Sequence, residues 1–142
     1  MTAAVNDYVP VRVSVKKIRR KQNVLWLKLR RTNDIVARVG RLKVKPILVG
    51  FSLETERLAE FSRAKVKGKN LNLIVGNQYS STQNPFGENN TAVLIMNRNG
   101  NSFRMAKRPK RIIAKRVLDE ALALLNERCS IASKANSEKA CC

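Results

Sequence analysis

The chain has 142 residues, with 29 Lys+Arg against 10 Asp+Glu, a formal net charge of +19, and no His. One domain of ~100–150 residues fits this length and two complete ones hardly do. A hydrophobic share of 44% permits a packed core, and no apolar run approaches the ~20 residues of a membrane-spanning helix. The absence of His excludes His-based triads, His general bases and His-containing zinc sites. The charge points to a polyanion, whether nucleic acid, a phosphorylated small molecule or an acidic surface, and composition does not choose among them.

The charge is uneven. Residues 1–50 carry a net +11, residues 51–100 a net +2 and residues 101–142 a net +6. Near the N-terminus, Val11, Val13 and Val15 alternate with Arg12 and Ser14, the period-2 pattern of a half-buried strand. Lys16 to Asn23 reads as an exposed basic loop, and Val24 to Leu29, with Trp26 near its centre, as a second strand. The two can pair as a small antiparallel ribbon. Asn33 is a plausible N-cap for a short helix through Ile35, Val36, Val39 and Leu42, which Pro46 breaks.

Ile47 to Phe51 is a short continuous apolar run, as expected of a strand buried on both faces. Residues 53–67 have helix spacing, with Leu58, Phe61 and Ala64 on one side, and Leu71 to Gly76 is a further strand. Strand, helix and strand within ~30 residues make a βαβ unit, normally right-handed with parallel strands. Ligands of such sheets sit at the carboxyl ends of the strands, here around Phe51 to Thr55 and Asn77.

Asn77 to Asn90 is a polar loop. Thr91 to Met96 is a strand, Asn97-Arg98-Asn99-Gly100 a hairpin turn, and Ser102 to Met105 the returning strand. Pro109 fits the first turn of a last helix, whose apolar face is Ile113, Val117, Leu118, Ala121, Leu122 and Leu125. Residues 129–142 read as a frayed tail. The three cysteines, Cys129, Cys141 and Cys142, crowd one end without a CxxC pair. They make neither a disulfide framework nor a zinc site, and the chain reads as cytoplasmic and reduced.

Four features could carry chemistry, each with a plainer reading beside it. The Lys16–Lys21 run is either a solvated charge run or a flap of cations closing over phosphates. Lys65 and Lys69, four apart, share a helix face that is either solvated or lines a ligand crevice. Glu54 and Glu56 fit first-turn acids better than a general acid–base pair, because no partner with a matched role is evident. Phe51 and Trp26 could stack on bases, but single-stranded nucleic acid wants several exposed rings, and aromatics are 5% of the chain. Neither GxxxxGK[ST] nor GxGxxG is present.

Taken in order, several segments resemble one family. Ala3 to Pro10 resembles the "AAVADY/F-x-P" segment of phosphopantothenoylcysteine synthetase, the ligase half of the bifunctional coenzyme A biosynthesis flavoprotein. Lys17-Ile18-Arg19-Arg20 resembles its K-x-K-K flap, and Asn33-Asp34-Ile35-Val36 its "PDIV". Pro46 to Glu56 is close to "PxxVGFAAET", the best single match. Lys65, Lys69 and Asn72 to Asn77 follow "K…K…DLIVAND" at the same spacing, and Phe86-Gly87 with Asn89-Asn90 resembles "FG/FNS-x-x-N". Lys107 to Leu125 matches the final helix.

The resemblance implies an α/β, Rossmann-like parallel or mixed sheet with flanking helices and a small antiparallel ribbon. It implies a ligase portion over residues 1–127 and a flexible tail over 128–142. The implied activity joins phosphopantothenate to cysteine with CTP and Mg²⁺, through an acyl-cytidylate. Lys17 would be the catalytic flap lysine. Ala3, Asp7, Lys17, Asn33, Asp34, Ile35, Val36, Phe51, Lys65 and Lys69 would form the CTP site, with Asp7 at the ribose or base and Lys65 and Lys69 toward phosphates. A homodimer is implied, and no flavin site is expected in this chain. The family's glycine-rich opening of the synthetase half has no counterpart in the sequence, so an N-terminally truncated domain is expected. A partner chain carrying that segment and the flavoprotein decarboxylase is expected with it. The alternative on the same scaffold is a basic nucleic-acid-binding protein, which rests on the charge.

Overall fold

A computed structural model of the protein describes residues 6–19, 23–80, 85–86 and 89–139. The chain divides into two compact units, Met1–Ile35 and Val36–Cys142.

The first unit is a short antiparallel ribbon. Strand β1 (Tyr8–Pro10) pairs with β2 (Leu29–Arg31) in the register Tyr8↔Arg31 and Pro10↔Leu29. Main-chain bonds extend the pairing at both ends, from Val11 N to Lys28 O and from Thr32 N to Asp7 O, each 2.9 Å. The expected antiparallel ribbon is present, but it overlaps the predicted strands only at one end of each, at Val11 and at Lys28–Leu29. Val13, Val15 and Trp26 are almost fully exposed and belong to no strand. Alternation yields a strand only where something covers its apolar side, and among the described residues nothing covers these.

The second unit begins within helix α1 (Ile35–Gly40). The helix opens right after Asp34 and closes with a turn in which Leu42 N reaches Val39 O at 3.1 Å. Strand β3 (Val49–Glu54), helix α2 (Leu58–Gly68) and strand β4 (Leu73–Gln78) form the expected βαβ unit, with β3 and β4 parallel from Val49↔Leu73 to Glu54↔Gln78. Strands β5 (Asn90–Asn97) and β6 (Ser102–Pro109) are antiparallel additions, which gives a mixed sheet in the order β3-β4-β5-β6. Helix α3 (Lys110–Lys139) follows.

The core has two layers, one on each face of the sheet. Ile74, Leu94 and Met96 face α2 and meet Leu58 and Val66. Leu73, Val75, Val93 and Ile95 face α3 and meet Ile113 and Val117. Successive strand residues point to opposite faces, so the continuous apolar runs of β4 and β5 serve both layers. All of these side chains are buried.

Four expectations need correction. First, β3 is an edge strand and is not buried on both faces: Phe51 is 72% exposed and Leu53 43%. Second, α2 buries Leu58, Ser62 and Val66, while Ala64 faces solvent. Ser62 rather than a larger residue sits under the helix because α2 comes very close to β4. Third, Pro109 ends β6 instead of opening the helix. An edge strand tolerates it because its missing N–H is needed by no neighbour. Fourth, α3 continues beyond Leu125 through the segment expected to fray. Its apolar stripe stops there, yet no Gly or Pro follows to break the backbone.

The end of α1 is held by a close main-chain approach. A Cβ on Gly40 would lie 2.1 Å from the Lys69 carbonyl oxygen. The Asn70 side chain, on a backbone with φ of 54°, donates to Gly40 O at 2.6 Å. Backbone cannot yield as a flexible side chain can. Gly40→Ala is expected to pry α1 from this turn and cost ~1–3 kcal/mol. A urea midpoint equal to that of the unsubstituted chain would refute the contact.

Candidate functional site

In the first unit the ribbon gathers part of the expected site. Asp7 accepts through its carbonyl from Thr32 N, and Thr32 Oγ1 donates to Asn6 O at 2.7 Å. These bonds bring Asp7 beside the chain that leads into Asn33, Asp34 and Ile35. Arg31 is held further above the ordinary arginine value, first by its hydrogen bond with Tyr8. It therefore stays a fixed cation. Lys17 lies exposed on the long connection between the two strands, where Ser14 Oγ donates to Lys16 O at 2.6 Å. A cleft of about 380 Å³ lies between Pro10–Arg12 and Trp26–Lys28. Ala3 and the far end of the basic run, Arg20 and Lys21, lie outside the described residues.

In the second unit the carboxyl ends of β3 and β4 converge, as ligand sites of parallel sheets require. Tyr79 N donates to Glu54 O at 2.8 Å, and Thr91 Oγ1 donates to Asn77 Oδ1 at 3.3 Å. The Tyr79 and Phe86 rings stand 6.4 Å apart at a tilt of 55°. Arg57, in the left-handed region at φ 49°, opens α2 and grips Glu60 through Nε at 2.8 Å. Glu60, not Glu54 or Glu56, is the acid of the first helical turn.

The expected site residues of this unit do not share one wall. Phe51 lies on the α3 side of β3, where it lines an apolar groove of about 630 Å³ with Leu53, Val75 and Leu118. Lys65 lies on the α2 side, and its Nζ is paired with the Glu54 carboxylate, which is largely buried. Lys69 sits beyond the end of α2, at the turn that receives Gly40. Val36 is exposed on α1. Sequence reading treated Glu54 and Lys65 separately, because partners eleven residues apart become neighbours only once the βαβ turn is closed. Lys45 is also missed. Its Nζ donates to Asn70 O at 2.6 Å, and burial lowers its ammonium below the ordinary lysine value, with Arg98 and Arg128 adding to the shift. Among the described residues no three His, Cys, Asp or Glu side chains gather as metal ligands.

Residues 1–125 match the family of the DNA/pantothenate metabolism flavoprotein C-terminal domain. The chain belongs to this family. It is similar to the coenzyme A biosynthesis bifunctional protein CoaBC of Bacillus subtilis, 34% identical over 123 residues, covering 87% of this chain and 30% of that protein. The Escherichia coli K12 CoaBC protein is 33% identical over 130 residues, covering 89% of this chain and 32% of the relative. A cysteine/cysteine sulfinic acid decarboxylase from an unknown prokaryotic organism is 33% identical over 127 residues, covering 89% of this chain and 35% of the relative. Among solved structures, the C-terminal domain of a CoaBC protein superposes with a TM-score of 0.66 at 29% identity, covering 89% of this chain and 53% of that domain. A flavoprotein from Streptococcus pneumoniae, 22% identical, shares the fold at a TM-score of 0.66, covering 85% of this chain and 60% of its own.

This flavoprotein C-terminal domain chain thus spans about a third of the curated relatives and about half of the solved domain. The described residues have the α/β class that the resemblance implies, with a mixed four-stranded sheet and helices in one unit and a small antiparallel ribbon in the other. No helix among the described residues is long and apolar enough to cross a membrane.

Proposed function

We propose that this chain forms the nucleotide-facing, cation-bearing part of a CTP-dependent phosphopantothenate–cysteine ligase in coenzyme A biosynthesis. The observation that carries the reading is the family match over residues 1–125. Within that span the Lys17 loop, Asp34 with the start of α1, the Phe51 strand, Lys65 on α2 and Lys69 just after it follow the order of the motifs that resemble the family's.

In this chemistry the phosphopantothenate carboxylate attacks the α-phosphorus of CTP. An acyl-cytidylate forms and pyrophosphate leaves. The cysteine amine then attacks the acyl carbon, forming the amide and releasing CMP. Both steps demand that negative charge be held in place, and neither needs an imidazole. Lys17 and the other cations of its loop would meet the triphosphate. Asp7 and residues 33–36 would hold the nucleoside. The Lys65–Glu54 pair implies that Lys65 meets a phosphate only by exchanging partners. The described residues offer no ready-made metal cage, so Mg²⁺ would arrive held by the nucleotide's own phosphates and water. The reading also takes a second copy of the chain and a flavoprotein decarboxylase as partners.

A second reading is favoured by one local feature. Arg104, Arg108, Lys110 and Arg111 line β6 and the start of α3, whose first turn holds no acid. A nucleic-acid phosphate backbone would suit such a ridge, with affinity falling steeply as salt rises. Thermal shift separates the two readings. A rise in melting temperature with Mg²⁺·CTP that Mg²⁺·ATP does not reproduce is the expected result. An equal response to both nucleotides, together with salt-sensitive binding of any oligonucleotide, would replace the ligase reading by the second.

A further inference from the structure

Strand direction assigns ligands to the carboxyl ends of β3 and β4. The six residues of β3 put ~16 Å between that end and the amino end. At the amino end, three basic side chains come together from segments far apart in the sequence. Lys45 lies on the link from α1 to β3, Arg98 on the turn between β5 and β6, and Arg128 on α3. Hydrogen bonds fix the segments that carry them. Lys45 Nζ donates to Asn70 O and Arg128 Nη1 to Lys45 O, each at 2.6 Å. Arg98 N donates to Asn72 O at 3.1 Å, and Asn72 Oδ1 accepts from Leu48 N at 3.0 Å. The Asn97 carboxamide oxygen accepts from Asn99 N and Asn101 N, which closes the turn that holds Arg98.

Three like charges repel, and among the described residues no carboxylate offsets them. Glu54, Glu60, Asp119 and Glu120 each pair with another cation. Glu127 precedes Arg128 in the chain, but successive helix residues do not face each other. Burial together with Arg98 and Arg128 holds the Lys45 ammonium below the ordinary lysine value. An anion at this point would relieve the repulsion. Donors remain for it, because an ammonium has three N–H bonds and a guanidinium five. Lys45 is half-buried, while Arg98 and Arg128 are exposed, so the cluster is open to solvent. Its shape restricts the ligand. A nucleic-acid backbone carries one charge per ~3.4 Å of strand and suits a line of cations, such as the ridge from Arg104 to Arg111. Here two guanidinium groups converge on one ammonium, which suits a compact anion with several oxygens.

We propose that Lys45, Arg98 and Arg128 form an anion site at the amino end of the sheet, which takes a compact phosphate-bearing small molecule of two or more negative charges. The bound anion ties α3 to the β5–β6 turn and to the link before β3, and so holds the second half of α3 against the sheet. The site shares no residue with the proposed CTP site. It stands or falls without reference to CTP or to the ligase reading.

The test titrates inorganic pyrophosphate into the 142-residue chain at fixed ionic strength and follows the side-chain NMR signals of Lys45, Arg98 and Arg128. Saturable shifts of all three are expected. With pyrophosphate bound, the Lys45 ammonium should titrate at a higher pH, because an anion favours the charged form. Arg98→Gln, on an exposed turn, should weaken the binding read at Lys45 about tenfold or more while leaving the urea midpoint in place. Arg128→Lys keeps the charge and should retain more of the binding than Arg128→Gln. Lys17→Ala should leave the Lys45 shifts as they are, which separates them from any pyrophosphate held by the flap. Unmoved Lys45 signals, or shifts that sodium chloride reproduces, would overturn the proposal. So would a single-stranded oligonucleotide that moves the same signals at lower concentration with a steep salt dependence, which would assign the cluster to nucleic acid.

Discussion

Gly76→Val is expected to cost about 3 kcal/mol or more, a large share of the ~5–15 kcal/mol that holds a domain of this size together. Gly76 lies in β4, flanked by β3 and β5, directly beneath α2. A Cβ there would stand 2.7 Å from Leu58 Cδ1 and 2.9 Å from Ser62 Oγ. Both neighbours are themselves buried, so neither can swing aside into solvent. Relief requires α2 to lift, and lifting α2 exposes the layer formed by Val66, Ile74, Leu94 and Met96. With a urea slope of ~2 kcal/mol/M the unfolding midpoint should fall by about 1.5 M. Gly76→Ala should show a smaller loss in the same direction. Combining it with Leu58→Ala, which removes the nearest methyl, should cost less than the sum of the two single changes. Strict additivity would show that the helix does not press on Gly76.

Lys17→Ala is expected to lower the rate of CMP release by about 10²–10³-fold, the scale seen when one charge-stabilising donor is removed from a reacting centre. The measurement is single-turnover CMP formation from phosphopantothenate, CTP, Mg²⁺ and cysteine, with and without the complementary portion of the domain. Lys17→Arg keeps the charge but not the compact ammonium, so partial activity is expected. The side chain is exposed on a loop, so neither substitution should move the melting temperature, and the loss can be read as chemistry. A rate unchanged by Lys17→Ala would remove the flap lysine from the mechanism. An absence of CTP binding in both settings would remove the ligase reading itself.

The two halves of the fold differ in how far they can be read from residue order. The βαβ unit and the following hairpin are legible because β4 and β5 are covered on both faces. Their apolar runs, the Asn97–Gly100 turn and the helix period between β3 and β4 all agree. The ribbon is not legible in the same way. Val11, Val13 and Val15 alternate convincingly, yet pairing begins three residues earlier, at Tyr8–Pro10, because period 2 marks a strand only when one face is buried. The site behaves similarly. Residue types and spacing single out the Lys16–Lys21 run, Phe51, Lys65 and Lys69, and the family resemblance picks Lys17 from that run. They cannot say that Phe51 of β3 and Lys65 of α2 lie on opposite faces of the sheet, nor that Glu54 has already claimed Lys65.

Local order in the chain is sufficient for the class of fold, the parallel β3–α2–β4 unit, the cationic character and membership of the flavoprotein C-terminal domain family. The first three depend on periodicity, turn chemistry and composition, and family membership on the order of short motifs along the chain; all are properties of neighbouring residues. The edge position of β3, the pairing of Lys65 with Glu54, the closeness of Gly40 to Lys69 and of Gly76 to Leu58, and the bare groove beside α3 depend on the folded chain. They follow from which layers cover which faces, and covering is set by contacts between residues far apart in the sequence.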